Sequence, residues 1–163
     1  MRPTNQNHHK SQASASAIVC IVDDDVSMAE STRYLISSFG FQAKAFTSAQ
    51  EFLSSSIVDD AQCLILDVRM PGMDGLELQH YLAQADKRIS IVFVTAHADD
   101  REERKAREAG AVDFLRKPFS EEALFNAIKA ALNRSQRLPG NDDLASERIS
   151  DPNPRDTNKD NRI

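Results

Sequence analysis

Two rhythms alternate along the chain. Strand-length segments with a short repeat stand at 17–22, 42–46, 63–66, 90–94 and 111–115. Between them lie stretches whose apolar residues recur at helical spacing. The first, 27–38, places Met28, Leu35, Ile36 and Phe39 near one face and ends at Gly40, a residue suited to a left-handed stop. The Ser48-Ala49-Gln50-Glu51 run has a capping-box pattern and predicts a short helix through Phe52 and Leu53. A third helix starts near Gly75 with Leu76, Leu78, Tyr81 and Leu82 apolar. The segment 98–109 is almost wholly charged, so its helix buries a thin face and is held least firmly. Ser120 is the expected N-cap of a last helix with Glu121 and Glu122 in its first turn and a Leu124, Ile128, Leu132 stripe. Strands alternating with helices in this way predict an α/β fold, a parallel sheet covered on both faces.

The ends of the chain change the picture. Residues 1–16 have no apolar period, and beyond about Asn133 the chain turns polar again, with Pro139-Gly140 and Asp151-Pro152-Asn153-Pro154. Both read as disordered tails around one domain at 17–133, because neither can bury enough apolar surface to offset ordering. The 134–163 segment is too short and polar for an output domain. The net charge is −5 over 163 residues, and the amino end carries Arg2 and Lys10 with no acid, so negative charge gathers in the domain. An acidic domain is poorly suited to direct nucleic-acid binding. No apolar stretch is long enough for a membrane span, and no secretory signal core is present, which predicts a cytoplasmic protein. Cys20 and Cys63 lie inside apolar runs and read as small buried hydrophobes.

Chemistry collects where the strands end. The first run ends at Asp23-Asp24, the third at Asp67, the fourth at Thr95, and the fifth at Lys117-Pro118. In a parallel sheet these carboxyl ends share one edge, where open α/β sheets place their sites. Three carboxylates, a hydroxyl and an ammonium suit a hard divalent cation, Mg²⁺, beside a carboxylate that attacks phosphorus. The turn at Met70-Pro71-Gly72 and Asp74-Gly75 would bring the Arg69 backbone carbonyl to the same cation. Lys117 would stabilise phosphoryl oxygens. The bond to Pro118 can be cis at low cost and so fix where Lys117 points.

Ile21-Val22-Asp23-Asp24-Asp25, Leu66-Asp67-Val68-Arg69-Met70-Pro71-Gly72-Met73-Asp74-Gly75, Val94-Thr95-Ala96 and Phe114-Leu115-Arg116-Lys117-Pro118-Phe119 stand in an order and spacing that resembles the receiver domain of two-component response regulators, in wording nearest the FixJ-type branch. The resemblance implies a flavodoxin-like fold with strand order 2-1-3-4-5 and five helices. It implies Asp67 as phosphoacceptor, a sensor histidine kinase as donor, and Mg²⁺ held by Asp24, Asp67 and the Arg69 carbonyl, with Asp23 acting through water. Lys117 would contact the phosphoryl group, and Thr95 and Phe114 would form the switch. The output would be a homodimer or a downstream protein bound through the 98–133 face, with Arg101, Arg104, Glu108, Asp113 and Arg116 as cross-contacts. The family order also makes Cys20 and Cys63 neighbours on adjacent strands, although a reducing cytoplasm argues against a disulfide. Arg69 and His97, two residues beyond Asp67 and Thr95, stand where the family tunes hydrolysis. His8, His9 and His80 read as solvated.

Three rivals remain at this point. The domain can act as a phosphate sink without docking output, or as a receiver-like scaffold that takes no phosphate. A phosphatase of the haloacid-dehalogenase type would instead use Asp23 as nucleophile and Asp25 as acid/base. That family needs a late strand ending in paired acids, which is missing after Lys117, and it would leave the Asp67 loop unexplained.

Overall fold

The computed structural model describes residues 16–97 and 99–137. The expectations for 1–15 and 138–163, and for His8 and His9, lie outside the described residues. Among those described, the elements follow in the order β1 (Ile18–Val22), α1 (Val26–Ser38), β2 (Gln42–Phe46), α2 (Ala49–Leu53), a 3-10 turn (Ser56–Asp59), β3 (Cys63–Asp67), α3 (Gly75–Gln84), β4 (Ser90–Thr95), α4 (Asp100–Glu108), β5 (Asp113–Arg116) and α5 (Glu121–Arg137). The five strands are parallel in the order β2-β1-β3-β4-β5. No helix among the described residues is long and apolar enough to cross a membrane.

The sheet is buried on both faces, which is why β3 and β4 read as continuous apolar runs. Within them side chains still alternate. Cys20, Val22, Leu64, Leu66, Ile91 and Phe93 pack with Phe52, Leu78, Leu82 and Ala106 from α2, α3 and α4. Val19, Ile21, Cys63, Ile65, Val92 and Val94 face the other way, onto Ile36 of α1 and Leu124, Ala127, Ile128 and Ala131 of α5. Fully buried side chains of this size contribute about 1.5–3 kcal/mol each. The register decides the cysteine question. Val19 stands opposite Cys63 and Cys20 opposite Leu64, so the two thiols fall on opposite faces. Both are free and buried, and burial pushes the Cys20 thiol up to about 12.

Helix ends follow the sequence in most places. Gly40 (φ 92°) and Gly110 (φ 99°) take the left-handed stops. At Gly110 the amides of Gly110 and Ala111 return to the carbonyls of Arg107 and Ala106, both sides of a Schellman closure. That closure occupies Ala111, so β5 starts at Asp113 rather than at 111. Ser120 caps α5 through the amide of Ala123. The helix then runs past the domain edge expected at 133, to Arg137, and Ser135 donates to the Gln62 carbonyl at 2.9 Å. The box at Ser48 forms only half. Its hydroxyl accepts from the amide of Glu51, but the Glu51 carboxylate takes the amide and hydroxyl of Thr47 instead. The reciprocal capping box lies at Asp74 and Glu77, opening α3.

Candidate functional site

Each strand-end residue is delivered by the element before it. Asp23 follows β1; its amide donates to the Phe46 carbonyl and the residue is 3 % exposed. Asp24 is exposed at the rim. Asp25 belongs to the helix rather than to the cluster, because its carboxylate caps α1 by accepting from the amides of Ser27 and Met28. Asp67 ends β3 and is 8 % exposed. Its Oδ1 accepts from the Arg69 amide at 3.3 Å. Lys117 leaves β5 with its amide on the Thr95 carbonyl, before a cis bond to Pro118.

These residues converge. One carboxylate oxygen from each of Asp23, Asp24 and Asp67 lies within 4.8 Å of the others. Lys117 Nζ donates to Asp23 Oδ2 at 2.7 Å and stands 3.7 Å from Asp67 Oδ2. Burial pushes the Asp67 carboxyl above its ordinary range; the Lys117 ammonium opposes this, and the Asp23 charge adds to it. Burial alone would lower Lys117, but the hydrogen bond to Asp23 and the charges of Asp67 and Asp23 hold the ammonium above its usual value. The site therefore has one cation facing three carboxylates, a surplus of negative charge that a divalent ion would neutralise. The all-oxygen donor set, with Asp24 open to solvent, fits Mg²⁺ in chemistry and in access.

A raised carboxyl has a consequence for folding. The folded chain holds the Asp67 proton more tightly than the unfolded chain does. The Asp67 contribution to stability is therefore greatest below the ordinary carboxylate pKa and is lost as pH rises through that value toward the folded one. Asp67→Asn, which cannot ionise, is expected to unfold at or above the wild-type temperature at pH 7 without divalent ions. A clear fall in its midpoint at that pH would contradict the assigned charge balance.

The two residues expected to form the switch are both inside. Thr95 is 1 % exposed, and its hydroxyl bonds the amide and carbonyl of His97 at 3.3 Å. Phe114 is 6 % exposed, with its ring centroid 6.0 Å from that of Phe93. The side chains of His97 and His80 are exposed. Arg69 is also exposed, and its guanidinium meets Glu102 of α4. Two of the charges expected to bridge to a partner are engaged within the chain. Arg116 pairs with Asp100 and Glu103, and Asp113 with Arg107.

Sequence reasoning took Gly75 only as the end of a turn and the start of a helix, yet the site depends on its lack of a side chain. A Cβ there would lie 2.2 Å from the Asp67 carbonyl oxygen. The Asp74-Gly75-Leu76-Glu77 pattern, a cap with an acid three residues on, was the available signal for the turn that brings α3 this close.

Comparison with known proteins places this arrangement in context. A sequence model of the response regulator receiver domain matches residues 19–129. Nodulation protein W of Bradyrhizobium diazoefficiens is 44% identical over 126 residues, covering 77% of this chain and 56% of that protein. The response regulator protein TodT of Pseudomonas putida is 40% identical over 144 residues, covering 88% of this chain and 62% of that protein. The crystal structure of FixJ-N superposes with a TM-score of 0.67 at 34% identity, covering 77% of this chain and 98% of that one. The chain thus spans about three-fifths of the length of the curated relatives it matches.

Proposed function

The chain belongs to the response regulator receiver domain family of two-component signalling, and from that premise we propose that Asp67 accepts a phosphoryl group from a sensor histidine kinase. The observation that carries this is the placement of Lys117, 2.7 Å from Asp23 and 3.7 Å from Asp67, beside three carboxylates. Asp67 is the nucleophile. Its Oδ attacks phosphorus in line while the bond from phosphorus to the donor nitrogen breaks, and the leaving histidine takes up a proton. Lys117 sits where an ammonium can meet an equatorial oxygen of the group in transfer. Thr95 supplies a hydroxyl that can leave His97 for the product. Bound Mg²⁺ would neutralise phosphoryl oxygens, with Asp23, Asp24, Asp67 and the Arg69 carbonyl as its holders.

The alternatives fare less well. Asp25, the acid/base of the phosphatase reading, is committed to capping α1. A scaffold that takes no phosphate leaves the buried Asp23–Lys117–Asp67 arrangement without a purpose. Phosphorylation then shifts the chain between two forms of the face built by α4, β5 and α5, which signals to a second copy or to a downstream protein. The chain also catalyses its own phosphorylation from small donors, and it works in the cytoplasm, where the kinase presents its phosphohistidine.

Incubation with Mg²⁺ and phosphoramidate is expected to add one phosphoryl group, read by intact mass, and chelation of the metal is expected to stop it. Asp24→Asn should raise the Mg²⁺ needed for half-maximal labelling by about tenfold or more, the scale for loss of a coordinating or supporting carboxylate. Asp99→Asn, at the start of α4, should leave it unchanged. Labelling that ignores Mg²⁺, or equal effects of the two variants, would overturn the reading.

A further inference from the structure

Arg69 is the side chain of the site loop to which the chemistry above gives no task. Its amide is fixed to Asp67 Oδ1, and its guanidinium meets Glu102 of α4, with Nε–Oε1 at 3.5 Å and Nη2–Oε2 at 3.5 Å. One residue thus touches both the phosphoacceptor and the charged helix. That helix is thinly attached. Ala106 is its buried residue among those described, and the Ala106 carbonyl accepts from Gln79 Nε2 of α3 at 3.0 Å and from the Ala111 amide at 2.9 Å. The amino-terminal half is held by ion pairs on its flanks. Arg69 reaches Glu102 on the site side, and Arg116 reaches Asp100 and Glu103 on the β5 side.

We propose that Arg69 and Glu102 form a latch that reports the charge at Asp67 to α4, an inference that rests on Asp67 being the phosphoacceptor. A phosphoryl group on Asp67 brings negative charge and strong acceptor oxygens to a loop whose guanidinium lies two residues along. It competes with Glu102 for Arg69. An exposed ion pair is weak enough to lose that competition. Once Glu102 is released, the amino-terminal half of α4 moves while the Gln79–Ala106 contact holds the other half in place. The effect is a shift in population, as large as the difference in affinity of the guanidinium for the two partners. Arg116 stays paired on the far side, so the motion is a turn of α4 about its carboxyl-terminal half rather than detachment.

Amide hydrogen exchange on the full chain tests this, with wild type, Glu102→Gln, Arg69→Gln and the double variant compared. In the unloaded protein Glu102→Gln is expected to speed exchange at residues 103–108 by about two- to fivefold, the range an exposed pair supports. It should add nothing in the Arg69→Gln background. Beryllofluoride with Mg²⁺ should speed the same amides in wild type and should have little further effect in Glu102→Gln. Glu102→Gln exchanging like wild type, or acting equally with Arg69 already replaced, would overturn the latch. Fluorine resonances of the loaded site separate the two readings. A loaded site with unchanged α4 exchange overturns the latch alone, whereas no loading overturns the phosphoacceptor assignment beneath it.

Discussion

Gly75→Ala is expected to lower the thermal midpoint by about 4–8 °C and to slow labelling of Asp67 in the protein that remains folded. Helix propensity argues the other way, since alanine is favoured over glycine in a helix by about 1 kcal/mol. Sterics outweigh it. The added Cβ would stand 2.2 Å from the Asp67 carbonyl oxygen and 3.0 Å from Val68 Cα, and both are backbone atoms that cannot swing aside. The Gly75 amide donates to the Val68 carbonyl at 2.8 Å, which draws the start of α3 onto the end of β3. Relief requires parting the two. Overpacking against two backbone atoms lies toward the upper end of the usual range of about 1–3 kcal/mol, the helix gain offsets about 1 kcal/mol of it, and a domain of this size loses roughly 4 °C per kcal/mol of the remainder. The atom displaced is part of Asp67, so stability and chemistry fall together. A midpoint within about 2 °C of wild type, with unchanged labelling, would show that the loop yields freely and that the close approach has no role.

The second large effect is on rate. Lys117→Ala is expected to slow phosphorylation by about a hundredfold or more, comparable to losing a preorganised donor to a developing oxyanion. Removing the ammonium also removes the larger of the two influences that oppose burial at Asp67, leaving only the Arg69 amide, so the carboxyl is pushed further up. A larger share of Asp67 is then protonated at any given pH on the acid limb, and a protonated carboxyl does not attack. The acid limb of the pH–rate profile should therefore move to higher pH in the variant, while Lys117→Arg, which keeps the charge, should move it less. A rate within about threefold of wild type and an unmoved acid limb would remove Lys117 from the mechanism.

Much of this architecture was legible because local and global signals agree. Asp23, Asp67, Thr95 and Lys117 can be placed together from the sequence, since each closes a strand-length segment and parallel strands align their carboxyl ends. Gly40 marked a helix end for the same physical reason that it occupies one, a positive φ. The misses share a different cause. α3 ends with Asp86 in the left-handed region at φ 52°, and the Lys87 amide closes onto the Leu82 carbonyl. An aspartate in that role carries a weaker signal than a glycine does. Glu51 had two acceptable donors within reach, and composition cannot say that Thr47 wins over Ser48. The Arg69–Glu102 pair joins residues 33 apart in sequence, and the Arg116–Asp100 pair 16 apart. Among so many charges on α4, only the fold selects which ones meet. That selection turns Asp113 and Arg116 from candidate partner contacts into ties within the chain.

Asp67, and no other acid of the cluster, is expected to take the phosphoryl group. The most direct measurement is to label the full chain with phosphoramidate and Mg²⁺, trap the acyl phosphate by borohydride reduction and locate the reduced residue by peptide mass spectrometry. Reduction is expected at Asp67 in wild type, nowhere in Asp67→Asn, and still at Asp67, at lower yield, in Asp23→Asn. Reduction at Asp23, or undiminished labelling of Asp67→Asn, would contradict it.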